Sequence, residues 1–270
     1  MEHKNILIAC PVRNREWILP AYLEHLHSLK YPKKNLSILW VINQSDDNSE
    51  QILKKFQREY SHEYRKITIK IFNGSKIVPN DKRIRATRNR YIYNHLAELR
   101  NYILSQVGNN DFIFSSDSDI LLKPDTLTQL INSDKDIISS IIFNGYKFDK
   151  ENAWRYPNIL KQLSDGKIEH IANSYVKKSP ISKISKLLQV DVTGASVLLS
   201  KYAATKIKYG YHIQGEDVAF CLEAKKKGFD IWCDIGLFNQ HIMDKEMLVD
   251  YKKGVKTNDN TNNGSFNSLE

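Results

Sequence analysis

Five short apolar runs recur along the first part of the chain: Asn5–Cys10 (NILIAC), Leu36–Ile42 (LSILWVI), Ile67–Phe72 (ITIKIF), Asp111–Ser116 (DFIFSS) and Asp136–Phe143 (DIISSIIF). Apolar runs of this length, bounded by polar turns, read as strands buried in a sheet. Between them the spacing changes. Trp17, Ile18, Tyr22, Leu23, Leu26 and Leu29 fall three or four apart, which predicts a helix over Glu16–Leu29, closed by Tyr31-Pro32. Ser49–Tyr60 is again helical, Thr87–Gln106 makes a long amphipathic helix with Thr87 as candidate N-cap, and Pro124–Asn132 a short one. Strands that alternate with helices restrict the chain to an α/β fold. Its mostly parallel central sheet is flanked by helices, and ligands sit at the carboxyl ends of its strands.

Beyond Phe143 the pattern loosens. Asn144–Leu188 is rich in Tyr, Trp, Lys and Ser and reads as one wall of a binding cleft, with Trp154, Tyr156 and Tyr175 as aromatic surfaces on which a ligand could pack. Val190–Ser200 returns to strand character, Glu216–Lys227 is helical and Asp230–Asp234 is a last strand. The segment from Gly254 is polar and Asn-rich, and is expected to be a disordered tail. With 41% hydrophobic residues in 270, a substantial core is available. No apolar stretch approaches the ~18 residues of a membrane span, and MEHKNILIACPVRNREW is a poor signal peptide. Cys10, Cys221 and Cys233 form no CxxC pair, so they read as reduced core thiols of a cytoplasmic protein. The net charge of +9 is spread over scattered lysines. It leaves a peripheral membrane contact open and selects no nucleic-acid partner.

The chemistry-bearing residues cluster at predicted strand ends. Asp117-Ser118-Asp119 follows the fourth strand, where two like charges are costly unless they face water, cap a helix or hold a cation. Gly215-Glu216-Asp217 opens a helix, as a cap or as a general base. His241 follows the last strand, as a satisfied histidine or a third metal ligand. Lys82, Arg83, Arg85, Arg88 and Arg90 enter the long helix, as a solvated face or an anion contact. Asp46-Asp47 lies in the loop after strand two, as an Asx turn and cap or as an acceptor toward a base or ribose.

Taken in order, these features resemble the nucleotide-diphospho-sugar glycosyltransferases of the GT-A fold, in particular the family 2-like group. The likeness rests on Pro11-Val12-Arg13-Asn14, Ser45-Asp46-Asp47-Asn48-Ser49, Ala86-Thr87-Arg88-Asn89-Arg90, Asp117-Ser118-Asp119, Thr193-Gly194-Ala195-Ser196, Gly215-Glu216-Asp217 and His241. The DSD segment with LLKPDTL is also similar to the collagen-modifying glycosyltransferases. The resemblance implies a single catalytic domain over 1–253, with a nucleotide-binding half to about 122 and an acceptor-binding half beyond. It implies that Pro11, Val12, Arg13, Arg88, Asp117 and Ser118 contact the nucleotide, with Asp46 or Asp47 near its base. Asp117, Asp119 and His241 would bind Mn²⁺ or Mg²⁺, and Glu216 or Asp217 would be the base of an inverting transfer. The donor expected by default is a UDP-sugar, with a GDP-sugar second, and the acceptor a carbohydrate, glycan or protein hydroxyl. Two rivals are a sugar-phosphate nucleotidyltransferase, disfavoured because PVRNRE lacks glycine, and a basic binding protein without catalysis.

Overall fold

The computed structural model describes residues 3–72, 90–146, 154–171 and 186–254. The elements run β1 (Ile6–Val12), α1 (Leu19–His27), β2 (Leu36–Ile42), α2 (Ser49–Tyr60), β3 (Lys66–Ile71), α3 (Arg90–Ser105), β4 (Phe112–Ser116), β5 (Ile120–Leu121), α4 (Thr126–Asn132) and β6 (Ile137–Ile141). They continue with β7 (Phe143–Tyr146), β8 (Trp154–Pro157), β9 (Ile159–Gln162), β10 (Ile168–His170), β11 (Leu187–Val190), β12 (Val192–Thr193) and β13 (Ser196–Ser200). The last are α5 (Lys201–Lys206), α6 (Glu216–Lys226), β14 (Ile231–Phe238), β15 (Gln240–His241) and α7 (Lys245–Lys252).

Eight strands form one sheet in the order β11-β14-β6-β13-β4-β1-β2-β3. The pairs β4–β1, β1–β2, β2–β3 and β14–β6 are parallel, while β13 runs against both β4 and β6, and β11 against β14. The expectation of a mostly parallel α/β sheet holds. From β1 the chain moves outward to β2 and β3, then crosses back to place β4 on the other side of β1. That reversal opens a crevice at the carboxyl ends of β1 and β4.

Side chains of β1 alternate between two cores. Ile6, Ile8, Cys10 and Val12 pack with α1, α2, α4 and α7, while Leu7 and Ala9 pack with α3, α5 and α6. Both faces of the strand are buried, so it reads as an unbroken apolar run. The three cysteines are free and buried in these cores, where burial pushes their thiol pKa values up.

Some boundaries differ from the sequence reading, for physical reasons. Helix α1 starts at Leu19, because Ile18 and Leu19 first close a turn onto the Arg15 carbonyl at 3.0 and 2.9 Å. The run DIISSIIF splits at Ile142 into β6 and β7, and β14 extends past Asp234 to Phe238. Val190–Ser200 is not one strand: Gly194 and Ala195 interrupt it, with Ala195 at φ +67°. Asn144–Leu188 contains short antiparallel pairs, β7–β8 and β10–β9, the latter joined to β12. Among the described residues no helix is long and apolar enough to cross a membrane. Lys82, Arg83, Arg85, Thr87, Arg88, Tyr175 and the tail from 255 lie outside the described residues.

Candidate active site

The loop after β1 and the loop after β2 are laced together. Asn14, Arg15 and Glu16 donate their backbone N–H groups to Ser45 Oγ (3.0 Å), Ser49 Oγ (2.8 Å) and Asp47 Oδ2 (2.9 Å). In return Asp46 N–H donates to Asn14 Oδ1 (2.8 Å) and Asn48 N–H to Glu16 Oε2 (3.1 Å). Each loop contains a left-handed residue, Asn14 at φ +50° and Gln44 at φ +48°, which lets the backbone turn sharply. Asp47 also accepts from Ser49 N–H at 3.0 Å, so its carboxylate serves as a staple between loops. Burial alone would raise its pKa, but these hydrogen bonds hold it below the ordinary carboxylate value.

Above this floor lies a cleft of about 380 Å³. It is lined by Pro11, Val12 and Arg13 from β1 and its loop, by Asp117, Ser118 and Asp119 after β4, and by Glu216 and Asp217 at the start of α6. The sequence reading had named all of these. Asp46 and Asp47 are not among the lining residues. His241 is not among the lining residues either, and reaches Asp119 from a separate direction. The two-residue strands β15 and β5 pair antiparallel with His241 opposite Ile120, and Ile242 N–H donates to the Asp119 carbonyl at 2.9 Å. This brings His241 Nε2 to 3.6 Å from Asp119 Oδ1, with both residues buried.

The residue the sequence reading missed is Arg100. Its side chain, 7% exposed, reaches from α3 into the cleft floor. Nη2 lies 3.1 Å from Asp117 Oδ1, Nε 3.1 Å from Glu216 Oε1 and 3.8 Å from Asp217 Oδ1. Its guanidinium also sits over the Tyr209 ring, 5.7 Å from the centroid. One cation therefore gathers three carboxylates from two elements. Its sequence signal was available: Arg100 stands on the stripe of Leu96 and Ile103, a cation on the apolar face of an amphipathic helix. Arg15 was missed as well, and places Nη2 3.4 Å from Asp119 Oδ2.

Glu216 and Asp217 are distinguished by these contacts. The Glu216 side chain is 8% exposed and accepts from Arg100, whereas the Asp217 side chain keeps 31% of its surface open toward the cleft. Burial among surrounding protein pushes the Asp217 carboxyl up to about 7; Arg100 opposes this, and the neighbouring Glu216 and Asp117 charges add to it. Room for Asp217 is made by Gly194, where any Cβ would overlap the Asp217 carboxyl group. The Gly194 segment is held by buried Asn158, whose Nδ2 donates to the Gly194 carbonyl at 2.9 Å, and Asp117 N–H donates to the Ala195 carbonyl at 2.9 Å. The interruption of the Val190–Ser200 strand is thus part of the site.

The residues at this corner can supply part of the shell of a divalent cation. Asp119 and His241 face one another with a hard oxygen and an imidazole nitrogen, a combination that suits Mn²⁺ or Mg²⁺ together with phosphate oxygens. Asp117 instead directs Oδ1 to Arg100. Among the described residues no group of three His, Cys, Asp or Glu side chains is arranged to hold a metal ion on its own. The pair fits a cation that draws part of its shell from a bound diphosphate.

Other proteins share the fold and part of the sequence. A mannosyltransferase from Pyrobaculum calidifontis, solved in complex with GDP-mannose and Mn²⁺, superposes with a TM-score of 0.56 at 10% identity, over 90% of this chain and 58% of that one. The shared fold is the GT-A fold expected from the sequence. In sequence, the chain is 22% identical over 271 residues to the anp1 subunit of the mannan polymerase II complex of Schizosaccharomyces pombe, covering 85% of this chain and 62% of that protein. It is 29% identical over 147 residues to procollagen galactosyltransferase 1-A of Xenopus laevis, covering 53% of this chain and 24% of the relative. The chain thus spans less than two thirds of the length of either relative. The model of the Anp1 family matches residues 1–170, which include the laced loops, Arg100 and the DSD corner, and on that match the chain belongs to the Anp1 family.

Proposed function

We propose that this chain transfers a hexose from a nucleoside-diphosphate sugar to an acceptor hydroxyl, with inversion, and that Asp217 is the base. The observation that carries this reading is the division of one cleft into two sides: an Asp119–His241 corner beside the β1 loop, and a half-open carboxyl with a raised pKa facing it from α6.

The donor's diphosphate lies along the ends of β1 and β4, where Pro11–Arg13 and Ser118 border it. Asp119 and His241 are the residues that would hold Mn²⁺ or Mg²⁺, and the ion would neutralise charge as the nucleotide leaves. Arg15, directed at Asp119, adds positive charge at the same place. On the opposite face Asp217 accepts the acceptor's hydroxyl proton as the oxygen attacks the anomeric carbon. A carboxyl pKa near 7 suits that task, because the base form is populated near neutrality and still draws the proton. Glu216, tied to Arg100, orients the pair.

The test is NMR of UDP-hexose and GDP-hexose consumption with Mn²⁺ present, wild type against Asp217→Asn. The expected result is a nucleoside diphosphate and a sugar of inverted anomeric configuration from the wild type only. Release of pyrophosphate would assign the nucleotidyl-transfer alternative, and full activity of Asp217→Asn would remove the base.

A further inference from the structure

Two buried polar residues in the cleft take no part in the mechanism above. Asn43 follows β2, with its N–H donating to the Val12 carbonyl at 2.8 Å, and is 4% exposed. His95 of α3 is 5% exposed, packs edge-on against Phe72, and places Nε2 2.8 Å from Asn43 Oδ1. Both line the cleft, among the apolar side chains of Pro11, Ile92 and Leu96. In the sheet, β2 is next to β1, which is next to β4. The Asn43 end therefore lies about two strand spacings, ~10 Å, from the DSD end. That is comparable to the reach of a nucleoside diphosphate from pyrophosphate to base, and an apolar lining with one polar edge suits a heterocycle.

The hydrogen-bond direction follows from what is left unpaired. His95 Nδ1 is buried without a partner. A bare lone pair is cheaper to bury than an orphaned N–H, so the proton sits on Nε2 and is donated to Asn43 Oδ1. Burial keeps the ring neutral, which agrees with a single N–H. The acceptor of the Asn43 amide is thereby occupied, and its Nδ2 makes no hydrogen bond to another described residue. The amide offers the cleft N–H donors only.

We propose that the His95–Asn43 pair reads the nucleobase of the donor and selects a keto base, uracil or guanine, over an amino base, cytosine or adenine. This rests on the glycosyl-transfer reading above. A carbonyl oxygen at O4 of uracil or O6 of guanine accepts from Asn43 Nδ2. The exocyclic amines of cytosine and adenine put N–H against N–H at that edge and leave the amide unpaired.

The experiment is calorimetric titration of UDP, GDP, CDP and ADP, each with MnCl₂, into wild type, His95→Leu and Asn43→Asp. Wild type should bind UDP or GDP roughly 10- to 100-fold more tightly than CDP or ADP, and the comparison of the first two identifies which keto base is used. His95→Leu frees the amide to turn and should narrow that ratio. Asn43→Asp presents an acceptor oxygen and should shift it toward CDP or ADP. Ratios between nucleotides do not depend on partial loss of folded protein, so a less stable variant still reports. Equal affinities in wild type, or an unchanged ranking in both variants, would overturn the base-reading pair and leave the transfer reading standing. If wild type binds none of the four, the transfer reading itself fails, and this one with it.

Discussion

On the proposed reading Asp217 is the base, and its setting predicts two opposite pH effects. In the unfolded chain its proton leaves near the ordinary value of 3.8, while in the folded chain it is kept to about 7. Between those limits the native state binds the extra proton, so this group weakens the fold as pH rises. Transfer runs the other way: kcat/KM should climb through about pH 7 as the base form appears. Asp217→Asn should abolish that limb, lower kcat about 10²- to 10⁴-fold and leave nucleotide affinity near wild type. Glu216→Gln should retain the limb; its loss in that variant would exchange the two roles. Gly194→Ala is a second single-residue test. The substitution is opposed by overlap with the Asp217 carboxyl, so it should cost about 1–3 kcal/mol in thermal unfolding and also reduce turnover.

At the level of elements, the site depends on contacts that run between them. Arg100 joins α3 to the end of β4 and the start of α6. Arg100→Met would leave buried Glu216 uncompensated and take a partner from the half-buried Asp117, a loss of about 3–5 kcal/mol by denaturant unfolding. Arg100→Lys keeps a charge but lacks the planar fork that reaches two carboxylates at once. It should recover most of the stability and little of the turnover, and full recovery of both would reduce Arg100 to a counter-charge. The strands of the parallel half were legible in the sequence because burial on both faces leaves continuous apolar runs, as in LSILWVI, which is β2 residue for residue. The short strands β5 and β15 were not legible, since two residues carry no period, yet their pairing is what delivers His241 to Asp119. Asp46-Asp47 shows the reverse problem: an acidic pair in a loop after a strand reads the same whether it meets a ligand or, as Asp47 does, a neighbouring backbone. Arg100 was passed over because one arginine on a helix resembles every other until its face is known to be buried.

Over the whole molecule, the parallel half and the C-terminal half contribute different things to one cleft. The first supplies the laced loops and the DSD corner; the second supplies the acid pair, with Gly194 beside Asp217 and His241 beside Asp119. Binding of a nucleoside diphosphate should therefore stabilise the protein as a unit. At 100 times Kd the gain is about 2.7 kcal/mol, visible as a rise of several degrees in Tm. Mn²⁺ should enlarge that rise in wild type and much less in His241→Ala or Asp119→Asn; an undiminished metal effect in both would move the ion elsewhere. The β5–β15 pairing has one more consequence, for the chain as it emerges during synthesis. The imidazole at this corner comes late in the chain, at position 241, whereas its carboxylate partner is made more than a hundred residues earlier. A ribosome-bound or prematurely ended product that stops short of β15 contains every residue of the laced loops and the DSD segment and lacks the histidine. On the proposed reading, transfer would wait until translation has passed that point.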